Sequence, residues 1–142
     1  MTIHARQGKG ATIAFGTSAF AANVTSISLP SISRDKIDTT HLGTTAESGG
    51  EVWITKIPNL LIDGGQLSMD IQLDPDTAIP MTGTAVETVT FTAPKAAGQT
   101  TAGTWAFSGF ISGYKPTVPY DGLMTATVDV EVCGKITVTA GS

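Results

Sequence analysis

Two histidines, His4 and His41, and one thiol, Cys133, are the groups best suited to activate or provide a nucleophile. Such catalysis needs the nucleophile with a base beside it. His4 falls in an N-terminal arm and His41 at the edge of a polar loop. Cys133 ends a strand just before Gly134, a placement that reads as a structural thiol. These few groups and the scattered carboxylates show no metal-ligand spacing. Asp74-Pro75-Asp76 lacks the rest of a calcium loop and reads as a turn. Asp35 with Asp38, and Asp129 with Glu131, have the residue types for acid–base work, but neighbours along an extended segment read as a solvated face. Gly49-Gly50 and Gly64-Gly65 do not join a strand to a long helix and make no phosphate cradle. No catalytic, metal or cofactor site is expected, and no enzyme.

The aromatic residues are Phe15, Phe20, Trp53, Phe91, Trp105, Phe107, Phe110, Tyr114 and Tyr120. A nucleic-acid platform interleaves exposed aromatics with cations. Trp105 and Phe107 instead share one face of a Gly-rich strand with few cations nearby, which reads as core packing. A subunit interface is the other reading of that face.

The elements that position these residues are strands. Gln66–Asp74 is the clearest: Leu67, Met69, Ile71 and Leu73 alternate with Gln66, Ser68, Asp70, Gln72 and Asp74. That period of two is the mark of a half-buried antiparallel strand. Near the C-terminus, Thr104–Gly113, Leu123–Val132 and Lys135–Thr139 read as three more. Met124, Ala126, Val128, Val130 and Val132 share one face, with Thr125, Thr127, Asp129, Glu131 and Cys133 on the other. Tyr114–Gly122, with two prolines and an Asp-Gly pair, is expected to connect the first two of these strands.

Upstream, Ala11–Phe15, Asn23–Leu29 and Ser31–Thr40 read as extended, with Ile32 and Ile37 inward. Val52–Ile57 reads as a strand broken by Pro58-Asn59, and Val86–Thr92 as another. Asp63-Gly64-Gly65 marks a turn, and Thr77–Met81, interrupted by Pro80, is the one place for a short helix. His41-Leu42-Gly43-Thr44-Thr45-Ala46-Glu47-Ser48-Gly49-Gly50-Glu51 has neither apolar periodicity and reads as a long mobile loop. Pro94–Gly103 reads as a second loop. The sum is about eight strands, suited to an antiparallel β-sandwich or small barrel.

At 142 residues, the chain fits a single β domain, 1–142, with an arm at Met1–Gly10. Apolar residues make up 41% and charged residues 14%, too apolar and weakly charged for a disordered segment. The net charge of −4 leaves no general basic patch for nucleic acid. One cysteine excludes an intramolecular disulfide framework. No signal peptide and no stretch of about 18 apolar residues is visible, so synthesis in the cytoplasm and no membrane insertion are expected.

Ile32-Ser33-Arg34-Asp35-Lys36-Ile37-Asp38-Thr39-Thr40 leads a strand through Arg-Asp and Asp-x-Thr into the long loop. Ile54-x-x-Ile57-Pro58-Asn59-Leu60, Asp63-Gly64-Gly65, the alternating strand to Asp74-Pro75-Asp76, Phe107-x-Gly109-Phe110-Ile111-x-x-Tyr114 and Met124–Lys135 follow in order. This series resembles the major tail-tube proteins of long-tailed bacteriophages, of the superfamily that includes type VI secretion tubes. Two departures stand out: Asn59, where the family commonly has a Pro-Gly-Leu turn, and the lack of a distinct helix after Asp-Pro-Asp.

The resemblance implies a β-sandwich subunit assembling into stacked, six-membered rings. Their inner strands join into a barrel lining a DNA-conducting lumen. It implies a virion tail location, homo-oligomerisation, contacts with tail-tip, terminator and tape-measure proteins, and DNA passing without sequence-specific binding. The His41–Glu51 loop and the Met1–Gly10 arm would reach neighbouring subunits and rings. Asp70, Asp129 and Glu131, on polar faces opposite apolar ones, are the lumen candidates. A tube subunit of a related injection, secretion or gene-transfer particle shares this physics. A monomeric β-sandwich binding module is the alternative from another class.

Overall fold

The computed structural model describes residues 7–16, 23–40, 46, 49–76, 81 and 85–142. These form nine strands and no helix: β1 (Thr12–Phe15), β2 (Val24–Ser28), β3 (Ser33–Asp38), β4 (Lys56–Asp63), β5 (Gln66–Gln72), β6 (Glu87–Thr92), β7 (Thr104–Thr117), β8 (Thr125–Val132) and β9 (Thr137–Thr139). Every pairing among them is antiparallel. The fold is mainly β, as the alternation and turn chemistry indicate. Of the expected short helix at Thr77–Met81, residues 77–80 lie outside the described residues.

The chain divides into two compact units, one of residues 32–63 and one of residues 1–31 with 64–142. The larger holds a seven-stranded sheet in the order β1-β6-β7-β8-β5-β2, with β9 also on β7, and the sheet does not close into a barrel. Strand β7 changes partners along its length. Thr104–Gly109 pairs with β6 on one edge, while the other edge takes β9 at Thr104–Ala106 and β8 from Gly109 to Thr117. Gly109 sits at the changeover. A Cβ there would lie 2.5 Å from the Glu131 carbonyl oxygen, so only glycine lets β8 approach.

Both parts of the sheet feed one hydrophobic cluster. Phe15, Val89 and Phe107 come from the β1-β6-β7 side; Leu67, Met69, Ile71, Ala126, Val128 and Val130 come from β5 and β8. The two strictest alternations in the sequence thus supply most of the core. Leu67, Val89, Val128 and Val130 are fully buried. Each such side chain stabilises by about 1.5–3 kcal/mol relative to exposure. Leu67→Ala is therefore expected to lower unfolding stability by about 2–5 kcal/mol in urea titration, through lost burial and the cavity left behind. A loss well below 1 kcal/mol would contradict this placement of the core.

Three strand readings need correction. β7 continues through Tyr114-Lys115-Pro116-Thr117, which the turn residues mark as connection. β4 runs straight through Pro58-Asn59, and residues 52–55, read as strand, precede it. The physical reason is the same in both. Among the described strands, β4 has only β3 as neighbour and β7 beyond Gly109 has only β8, so each has an edge where a missing proline N–H costs nothing. Ile32 and Ile37, expected inward, are 50% and 46% exposed.

The smaller unit is the β3–β4 hairpin, paired from Ser33↔Asp63 to Asp38↔Lys56 with an irregularity between Arg34 and Lys36. None of its described residues is buried. At the mouth of its loop, the Asp38 carboxylate accepts the Thr40 N–H at 2.8 Å. That bond, the Thr40 hydroxyl and, more weakly, Lys56 hold the Asp38 carboxyl below the ordinary aspartate range.

Candidate functional site

The outward face of β7-β8-β5-β2 gathers all three lumen candidates. Antiparallel register sets Glu131 opposite Gln66 and Phe110, Asp129 opposite Ser68 and Gly113, and Asp70 opposite Thr127 and Ser26. Lys115 lies opposite Thr127 and is the cation of this face. The alternation that buries Leu67, Met69, Val128 and Val130 turns these polar residues the other way. Three carboxylates against one lysine leave the face at −2 per copy.

Hydroxyls hold the carboxylates in place. Asp70 Oδ2 accepts from the Ser26 hydroxyl at 2.9 Å, and Oδ1 from the Thr127 hydroxyl at 3.0 Å. Asp129 Oδ1 accepts from the Ser68 hydroxyl at 2.9 Å. Gly113 makes room for that carboxylate: a Cβ there would sit 3.1 Å from Asp129 Oδ2. Ser112, the extra residue of the β7 bulge, donates to the Asp129 carbonyl at 3.4 Å and accepts from Gln66 Nε2 at 3.3 Å. Asp70 is exposed, while Asp129 and Glu131 are half-buried.

Two edges of this four-stranded region are open among the described strands. β2 ends the sheet order, and β7 beyond Gly109 carries β8 on one edge only. Because neighbours alternate in direction, β2 runs opposite to β7. Each edge presents unpaired backbone groups, a template for another strand.

The hairpin presents a second kind of surface. Leu60 is 95% exposed, Leu61 77% and Trp53 69%, with Ile54, Ile57 and Ile62 also exposed. A two-stranded hairpin without a core is marginal in water, and its exposed apolar side chains form one of the largest unburied apolar surfaces among the described residues. Of the predicted loop, residues 41–45, 47 and 48 lie outside the described residues. Ala46, Gly49, Gly50 and Glu51 are exposed in the β3–β4 connection. In the arm, residues 1–6 likewise lie outside, and residues 7–10 are exposed.

His4 and His41 are outside the described residues, so no geometry joins them to Cys133. Cys133 is half-buried, and its N–H donates to the Ser108 carbonyl at 2.7 Å, fastening the β8–β9 connection to β7. Asp76 N–H donates to Asp74 Oδ1 at 3.0 Å, making Asp74-Pro75-Asp76 the turn its residues suggest. Among the described residues, no group of three or more His, Cys, Asp or Glu is placed to hold a metal ion. Sequence reasoning put Ser68 and Thr127 on the polar sides of their strands but missed Ser26 and Lys115, and it joined none of the hydroxyls to a carboxylate. Their period-two positions were visible, but which strands pair was not.

This is an antiparallel, mainly-β fold with a polar four-stranded face, open among the described strands at its β2 and β7 edges, and an apolar hairpin. No protein-family model and no curated protein matches the chain. Solved structures do. A chain in the sheath/tube terminator of an extracellular contractile injection system, in its extended state, superposes with a TM-score of 0.68 at 14% identity, covering 99% of this chain and 100% of that one. Chains from a native gene transfer agent virion and from an empty gene transfer agent tail of C6 symmetry give TM-scores of 0.63 and 0.69 at 15% and 14% identity. Each covers 96% of this chain and 100% of its own. The likeness establishes a shared fold.

Proposed function

We propose that the protein is a structural subunit of a phage-type tail tube, assembling into stacked, six-membered rings around a DNA-conducting lumen. The observation that carries this reading is the polar β7-β8-β5-β2 face bounded by two open edges of opposite direction. An even number of alternating strands lets β2 of one copy join β7 of the next with antiparallel pairing preserved. A head-to-tail contact of that kind closes into a ring and removes the exposed edges. The fold shared with chains of tail and injection particles supports the reading, and one of those tails has C6 symmetry.

Magnitudes fit a DNA channel. Four strands from each of six copies, spaced about 4.8 Å, give a circumference of roughly 115 Å and a backbone diameter near 37 Å before tilt widens it. Side chains from opposite walls still leave space for a duplex. Asp70, Asp129 and Glu131 would line that lumen and repel phosphate, keeping transit fast. The role is one of assembly, not catalysis. Its partners would be further copies and the tail-tip, terminator and tape-measure proteins, and its place the virion tail.

The His41–Glu51 loop, the Met1–Gly10 arm and the apolar hairpin would contact neighbouring subunits and rings. Deleting Gly43–Gly50 is expected to prevent stacking into tubes, as read by electron microscopy, while single rings persist. Tubes of normal length from the deletion variant would refute that role. The likeness to the sheath/tube terminator structure and to gene transfer agent chains favours a second reading, a ring of a related particle, including one that ends a tube. Purified protein that stops at single rings at every concentration would favour the terminating ring.

A further inference from the structure

We infer that Asp70 is a positioning residue, a clamp that holds the bulged edge strand β2 in register on the sheet. β2 meets β5 through Val24↔Ile71 and then Ser26↔Asp70, so Thr25 is the extra residue of a bulge. A bulge disrupts the ladder locally, and here it falls on a strand that ends the sheet order, with no second neighbour among the described strands to steady it. Asp70 gathers what the ladder loses. Its Oδ2 accepts from Ser26 at 2.9 Å, its Oδ1 accepts from Thr127 at 3.0 Å, and its carbonyl accepts from the Thr25 hydroxyl at 3.1 Å.

One carboxylate thus ties β2 on one flank and β8 on the other to β5 between them. Hydrogen bonds to an ionised acceptor are stronger than neutral ones. Beyond the bulge, the Asn23 side-chain amide donates to Gln72 Oε1 at 3.2 Å, and the Gln72 N–H donates to the Asn23 carbonyl at 2.9 Å. The clamp therefore works where the pairing is interrupted, and it is a role separate from the charge Asp70 places on the face. Its consequence for ring closure rests on the ring reading proposed above, since β2 is the edge offered to the next copy; the clamp itself does not.

The test compares amide hydrogen exchange at Val24–Ser28 with that of β8, below the concentration at which copies associate, alongside light-scattering mass at high concentration. Asp70→Ala and Ser26→Ala each remove the bond to β2, and Ser26→Ala leaves the charge in place. Both are expected to exchange about tenfold faster in β2 with β8 unchanged. Asp70→Asn removes the charge but can accept from one hydroxyl and donate to the other; its bonds are weaker than those of the carboxylate, so β2 exchange should fall between that of the unaltered chain and that of Asp70→Ala. Ring formation should follow the same order. Unchanged β2 exchange in Asp70→Ala and Ser26→Ala overturns the clamp, as does Asp70→Asn behaving like Asp70→Ala. If the exchange order holds but the unaltered chain never forms rings, the clamp stands and the ring reading falls.

Discussion

Replacing Leu60 and Leu61 together with aspartate is expected to keep the protein monomeric at concentrations where the unaltered chain assembles. Both side chains lie on β4 almost fully exposed, in a hairpin unit with no buried residue among those described. Burying a leucine is worth about 1.5–3 kcal/mol, and burying an unpaired carboxylate is costly. Losing even about 3 kcal/mol per copy raises the concentration needed for association by roughly two orders of magnitude. The larger unit should be untouched, because its core draws on β1, β5, β6, β7 and β8. Light scattering reads the association, and urea titration should show an unchanged unfolding midpoint. Assembly at the normal concentration would show that the hairpin's apolar surface is not an interface.

The second large effect concerns DNA. Asp129→Lys turns the polar face from −2 to neutral in each copy, a change of two charges repeated around the ring. Tubes should still form, because the substitution costs one hydrogen bond from Ser68 to a carboxylate, about 1.5–3 kcal/mol, and leaves the core intact. Duplex DNA should then be retained by the tubes in a salt-dependent way, and delivery should slow or stop. Asp129→Asn separates charge from shape, since its amide oxygen can still accept from Ser68. Normal delivery through Asp129→Lys tubes would remove Asp129 from the lumen.

How much of this was legible in the sequence depends on what each strand packs against. Gln66–Asp74 and Met124–Val132 were readable because one face of each is buried, and burial enforces strict alternation. The polar sides of those strands carried Asp70, Asp129 and Glu131 into view, and register then placed all three on one face. Alternation names two faces but not their neighbours, so which hydroxyls bind the carboxylates stayed hidden until the pairing was known.

Edges were the blind spot. Pro58 and Pro116 read as breaks because an interior strand cannot hold a proline, yet among the described strands β4 and the far end of β7 each have an open edge. Ile32 and Ile37 looked like core because apolar residues in extended segments usually are. In the hairpin both are about half exposed, and none of the described residues of their unit is buried. Sequence pattern records that a side chain is apolar; whether its partner belongs to the same copy or another is a property of the assembly.

The most direct test of the central claim is electron microscopy of the purified protein across a range of concentrations, with mass from light scattering. The account predicts hollow rings or tubes of uniform width, with β2 of one copy beside β7 of the next and the Asp70, Asp129 and Glu131 face turned inward. A monomer at every concentration, or an assembly in which that polar face points outward and both edges stay open, would contradict it.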